Sequence, residues 1–210
     1  MRKLVTGLAL LIAPIGHAHA DCTAEVEAAF AKLRSGKAFR QETKITDEQK
    51  GTLSMKVDYI LPDRMHQRVS LGDAPATMET IVVGAKVYSN GGQGWAEVPE
   101  KYATAVAAQL RTVAEPPKSQ LAYECLGDKA LEGKTFVAFS AKLPPVEEPT
   151  KGSSATEQKQ PNIQTLYVDK VTGLPARNIV TASNAPDKRL FDGTFSQPAD
   201  LAINEPEVKK

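Results

Sequence analysis

Leu53-Ser54-Met55-Lys56-Val57-Asp58-Tyr59-Ile60-Leu61, then Pro62-Asp63, then Met65 through Leu71, is the stretch that decides the fold. In its first half Leu53, Met55, Val57, Tyr59 and Leu61 alternate with Thr52, Ser54, Lys56, Asp58 and Ile60. In its second half Met65, Gln67, Val69 and Leu71 alternate with Arg64, His66, Arg68 and Ser70. A period of two with one apolar side marks a strand buried on one face. Two such strands joined by a short Pro-Asp turn predict an antiparallel meander.

The same rhythm extends downstream. Met78 to Val83 is a β-branched run closed by Gly84; Lys86 to Ser89 follows, ending at an Asn90-Gly91-Gly92 turn signal, and Trp95 to Val98 forms a short strand. Thr135, Val137, Phe139, Ala141 and Leu143 make another alternating face. Ile163–Val168 and Pro175–Ala182, separated by Thr172-Gly173, predict a hairpin, and Arg189–Phe195 a final strand.

Two segments switch to the helical period. Val26, Ala29, Phe30 and Leu33 recur at i, i+3, i+4 and i+7 within Glu25–Leu33, with Thr23 as the expected N-cap and Gly36 as the stop. Tyr102, Val106 and Leu110 are spaced by four in a second helix over Glu100–Val113, which Pro116-Pro117 terminate.

The first twenty residues predict a cleaved signal peptide. Arg2 and Lys3 supply a positive start, Leu4–Ile15 an apolar stretch, and Ala18-His19-Ala20 a small-x-small cleavage site before Asp21. That stretch is shorter than the roughly 20 residues a bilayer span needs. Asp21, not a small residue, precedes Cys22, so the expectation is a soluble periplasmic protein without a lipid anchor. In that oxidising compartment Cys22 and Cys125 are expected to pair. Residues 21–204 then form one domain, with a polar, flexible loop at 144–161 and a frayed tail at 205–210.

Composition and motifs exclude several classes. With 41% hydrophobic and 24% charged residues the chain is neither disordered nor multiply membrane-spanning. Cleavage removes Arg2 and Lys3 and no acid, taking the formal charge from +1 to −1, which leaves no global field to attract nucleic acid. His66 alone among the three histidines survives cleavage, too few with two paired cysteines for a zinc site. Flanked by Arg64 and Arg68 on a polar strand face, it is expected to be solvated rather than a general base. Lys56, Arg64 and Arg68 leave two readings open: contact with anionic headgroups, or a mixed surface shared with Asp58 and Glu79. No Walker or dinucleotide loop is present; Gly91-Gly92-Gln93-Gly94 precedes a strand and fits a hairpin tip. No pair of acids stands out as a glycosidase site. No catalytic residue, metal or cofactor is assigned.

Four short motifs carry a resemblance to a known family. Ala38-Phe39-Arg40-Gln41-Glu42-Thr43 is like an "F-x-Q" first strand, and Gly51-Thr52-Leu53 through Leu61-Pro62-Asp63-Arg64-Met65 like a "G-x-L…P" second strand and turn. Ile81-Val82-Val83-Gly84-Ala85-Lys86-Val87-Tyr88 is similar to the following hairpin, and Phe195-Ser196-Gln197-Pro198 to an "F-x-x-P" closing segment. In these the chain resembles the LolA-like family of periplasmic lipoprotein carriers, with the related LolB, RseB and LppX/LprG proteins. The resemblance implies an α+β fold: a curved antiparallel sheet of about eleven strands, an unclosed half-barrel, with helices over the concave face and an apolar cavity for acyl chains. It departs from the dedicated carriers where Leu61, not arginine, precedes the turn proline.

A one-sided meander must cover its apolar face, and the two helices are the available cover. Met55, Val57, Tyr59, Met65, Val69, Val137 and Phe139, with Val83 and Trp95 of the following hairpin, are the candidate cavity-lining residues. Unbranched methionine suits variable chains. The expected function is a monomeric carrier or binding protein that shields lipid or lipoprotein acyl chains and serves a membrane acceptor or partner protein. The alternative is a non-enzymatic interaction or sensor module of the RseB type.

Overall fold

The computed structural model describes residues 21–47, 51–72, 78–144 and 161–208. The expected signal peptide and nearly all of the 144–161 loop lie outside the described residues.

One antiparallel sheet of eleven strands, not closed into a barrel, carries two helices. In chain order the elements are α1 (Thr23–Ser35), β1 (Ala38–Asp47), β2 (Gly51–Ile60), β3 (Arg64–Leu71), β4 (Met78–Val83), β5 (Lys86–Asn90), β6 (Ala96–Glu97), α2 (Glu100–Ala114), β7 (Glu124–Leu131), β8 (Lys134–Lys142), β9 (Asn162–Asp169), β10 (Pro175–Ala182) and β11 (Ala185–Ser196). Their spatial order is β6-β5-β4-β3-β2-β1-β11-β10-β9-β8-β7. Two meanders, β1–β6 and β7–β11, thus meet where β1 pairs with β11, as in Gln41 opposite Phe195. The α+β half-barrel expected from the sequence is the fold of the chain.

Both helices lie on the same face. Val82 and Val87 are buried under Ala103, Ala107 and Leu110 of α2, while Phe139, Ala141, Leu166 and Val168 are buried under Val26 and Ala29 of α1. Alanines at i and i+4 let α2 approach the sheet closely. Tyr102, expected on that buried stripe, is instead 61% exposed, because the stripe runs through Ala103, one residue further round the turn.

The end of α1 differs from expectation in an instructive way. Thr23 does not cap it; Asp21 Oδ1 accepts from the Thr23 backbone N–H at 3.0 Å, and Cys22 holds the N-cap position. Gly36 keeps a helical φ of −68°, and Lys37 takes the left-handed value of 62°. A Cβ at 36 would meet the end of the Gln197 side chain, whose Nε2 donates to the Leu33 carbonyl at 3.2 Å, so a larger residue there would displace that flexible side chain. The disulfide Cys22–Cys125, with Cα atoms 5.6 Å apart, and the bond from Cys22 N–H to the Tyr123 carbonyl at 2.9 Å tie α1 to the edge strand β7.

The face away from the helices is sealed on one side by the C-terminal segment. Ile203 is buried with Ile81 and Tyr88, and Arg64 Nη1 donates to the Ile203 carbonyl at 2.7 Å. The tail expected to fray from Glu205 is held as far as Val208. Tyr88 Oη donates to Glu205 at 2.6 Å, Lys86 Nζ lies 3.1 Å from the same carboxylate, and Val208 bridges Trp95.

Candidate functional site

The site begins with register. Met55 of β2 lies opposite Val69 of β3, Val57 opposite Gln67, and Tyr59 opposite Met65, and Met65 in turn lies opposite Val82 of β4. Strand alternation therefore presents Met55, Val57, Tyr59, Met65, Gln67 and Thr80 to α2 as one patch. Val106, Gln109, Leu110 and Val113 of α2 face it, and a hollow of ≈ 340 Å³ remains between them. A second hollow of ≈ 150 Å³ lies beside it toward α1, lined by Phe30, Leu33, Arg34, Phe39, Gln41, Tyr59, Val113 and Phe195. The two share Tyr59 and Val113. The Tyr59 ring stacks on Phe39 at 4.7 Å, and burial raises its phenol pKa.

Of the nine sequence-predicted lining residues, Met55, Val57, Tyr59 and Met65 come together around the larger hollow. Val69 stands on the same face one pair further out, between Met55 and Met78. Val137 and Phe139 also face the helices but belong to the filled core under α1. Val83 and Trp95 do not join them: they pack with Ile81, Tyr88 and Ile203 on the opposite face. The parity of β4 decides this, since Val82 points at α2 and its neighbour must point away. The lining residues absent from the sequence-based candidates are Phe30, Leu33, Arg34, Phe39, Gln41, Gln67, Thr80, Val106, Gln109, Leu110, Val113 and Phe195. Val113 continues the i+3 spacing from Leu110, a signal within reach; Arg34 gave none.

The outer face is occupied by paired charges. Arg40 and Arg68 both donate to Asp58, which is only 4% exposed, and Lys56 lies 3.3 Å from Glu42. Burial alone would raise the Asp58 carboxyl, but the hydrogen bonds from Arg40 and Arg68 outweigh it and hold the pKa below the ordinary carboxylate value. His66 is not the solvated side chain expected. It is 15% exposed, lies edge-on to Trp95, and sits between Arg68 Nη2 at 2.7 Å from Nδ1 and Glu79 at 2.8 Å from Nε2. The arginine can only donate, so Nδ1 accepts and Nε2 carries the proton. Burial lowers the imidazole pKa; Glu79 opposes that shift, and Arg68 adds to it. Of the two readings of Lys56, Arg64 and Arg68, the mixed surface is the one the geometry gives.

A grouping of Cys22, Glu25 and Cys125 has ligand-like spacing, but its two sulfurs are joined to each other. Among the described residues no helix is long and apolar enough to cross a membrane.

No protein-family profile and no curated protein matches this sequence. Solved structures do match it in shape. The lipoprotein LppX of Mycobacterium tuberculosis superposes with a TM-score of 0.50 at 8% identity, over 87% of this chain and 97% of that one. The MucA/MucB complex of Pseudomonas aeruginosa gives 0.44 at 15% identity, over 90% and 64%. A LolA-superfamily protein of Nitrosomonas europaea gives 0.35 at 8%, over 87% and 96%. At this identity the likeness to LppX is one of fold.

Proposed function

We propose that this chain is an exported, non-enzymatic binding protein of the cell envelope that shields the acyl chains of a lipid or lipoprotein from water. The hollow between α2 and β2–β4 is the observation that carries the reading. It lies within the usual size range of ligand pockets, and seven of its ten lining residues are apolar or aromatic. No covalent chemistry is needed, since each buried methylene contributes about 0.8 kcal/mol. Met55 and Met65 add unbranched, polarisable walls that adapt to chains of different length. The protein works as a monomer in this reading and passes its cargo to a membrane acceptor or partner protein.

Native mass spectrometry of gently purified protein tests it, together with uptake of a fluorescent fatty acid. Co-purified lipid and saturable uptake are expected. A ligand-free protein that takes up no fatty acid and instead retains a stoichiometric protein partner would move the assignment to the interaction-module reading.

A further inference from the structure

Among the described residues, four of the half-buried or part-exposed arginines are paired with carboxylates, and Arg64 and Arg34 are not. Arg40 and Arg68 share Asp58, and Arg177 and Arg189 share Asp192. Arg64 donates to the Ile203 carbonyl and stands near the sealing tail. Arg34 sits in the last turn of α1, on the wall of the smaller hollow, and has no carboxylate within ion-pair distance among the described residues. Its Nη1 donates to the Glu115 carbonyl at 2.6 Å, which uses one of five N–H donors. Its neighbours in that hollow are Phe30, Leu33, Phe39, Val113 and Phe195, with Gln41 and the Tyr59 phenol as the other polar groups. Burial lowers the guanidinium pKa below its ordinary value, the cost of holding a cation among these side chains. Among the described residues, none that lines the adjoining larger hollow is cationic.

Resting on the acyl-binding reading, we infer that the ligand is an anionic, single-chain amphiphile whose carboxylate or phosphate is held by Arg34 in the smaller hollow while its chain lies between α2 and β2–β4. Guanidinium presents its remaining N–H groups as a fork suited to either oxyanion. Tyr59, on the wall common to both hollows, offers a phenolic O–H beside that position. The inference fixes the direction of the chain: polar end at α1, methyl end toward Met55 and Thr80.

Equilibrium binding of a fluorescent long-chain fatty acid to the full mature protein at pH 7.5 is compared with binding of its uncharged methyl ester. The acid is expected to bind at least about tenfold more tightly, as a charged hydrogen bond at a partly buried site contributes. Arg34→Gln should remove that preference and leave ester affinity within about twofold, while Arg34→Lys should keep part of it. Competition by lysophosphatidate against the acid decides between phosphate and carboxylate. Equal affinities of the wild-type protein for acid and ester would overturn the inference without any variant, as would a preference that persists in Arg34→Gln. Failure of both probes and of lysophosphatidate to bind would instead overturn the acyl-binding reading beneath it.

Discussion

The two halves of one sheet face solve the same covering problem differently. Under α1, Phe139, Leu166 and Val168 meet Val26 and Ala29, Tyr123 closes the side, and the Cys22–Cys125 link holds the helix down. Under α2, Ala103, Ala107 and Leu110 sit on Val82 and Val87, while beside that contact a hollow remains between Val106, Gln109 and Val113 on the helix and Met55, Val57 and Gln67 on the sheet. The first set is packed core, and only at its margin, by Phe30, Leu33 and Arg34, does the smaller hollow open. In the second a hollow persists beside a comparable set of apolar residues, so burial pattern alone does not separate scaffold from site. What separates them is how completely the helix side chains fill the space above the sheet at each level.

Experiments that break this contrast differ in size. Replacing Cys22 and Cys125 together by serine should cost the α1 half about 3–5 kcal/mol, read as a lower urea midpoint, because the link closes a loop of 103 residues. Phe139→Ala, which empties a side chain only 3% exposed, should cost about 3–4 kcal/mol, while Val106→Ala at the edge of the hollow should cost under about 1 kcal/mol; equal losses would show the α2 half to be equally filled. Val106→Trp should fill the larger hollow and weaken uptake of a fluorescent fatty acid at least about tenfold, the equivalent of two displaced methylenes, with little change in Tm.

The smallest effect is a pH slope. His66 titrates below its unfolded value of about 6.5, so as pH falls the unfolded chain takes up the proton first. The associated stability is fully present above that value, is lost as pH falls toward the folded pKa, and is constant below it. Denaturation free energies between pH 7.5 and 5.5 should therefore decline in the wild type and decline less in His66→Gln. A parallel decline would assign the slope to other groups.

Much of the fold was legible because one-sided strands announce themselves. Residues Leu53 to Leu71 fixed two strands and their apolar side, and four of nine lining candidates followed from parity alone. Strand β7 was not legible: Glu124 to Leu131 is exposed nearly throughout, so it carries no apolar period and becomes a strand only through pairing with β8. Val83 and Trp95 failed for a related reason. Their hydrophobicity belongs to the outer face, which in this protein is partly covered by residues 203–208.

The amino-acid sequence by itself determined the alternation of the strands, the two amphipathic helices and the apolar side they cover, because each of these is set by side chains two to four positions apart. Only the tertiary structure decided which part of that covered side stays hollow, that Arg34 lies at its wall with no carboxylate in ion-pair distance among the described residues, and that His66 sits between Arg68 and Glu79. Those outcomes depend on distances between residues far apart in the chain, and no local period encodes them.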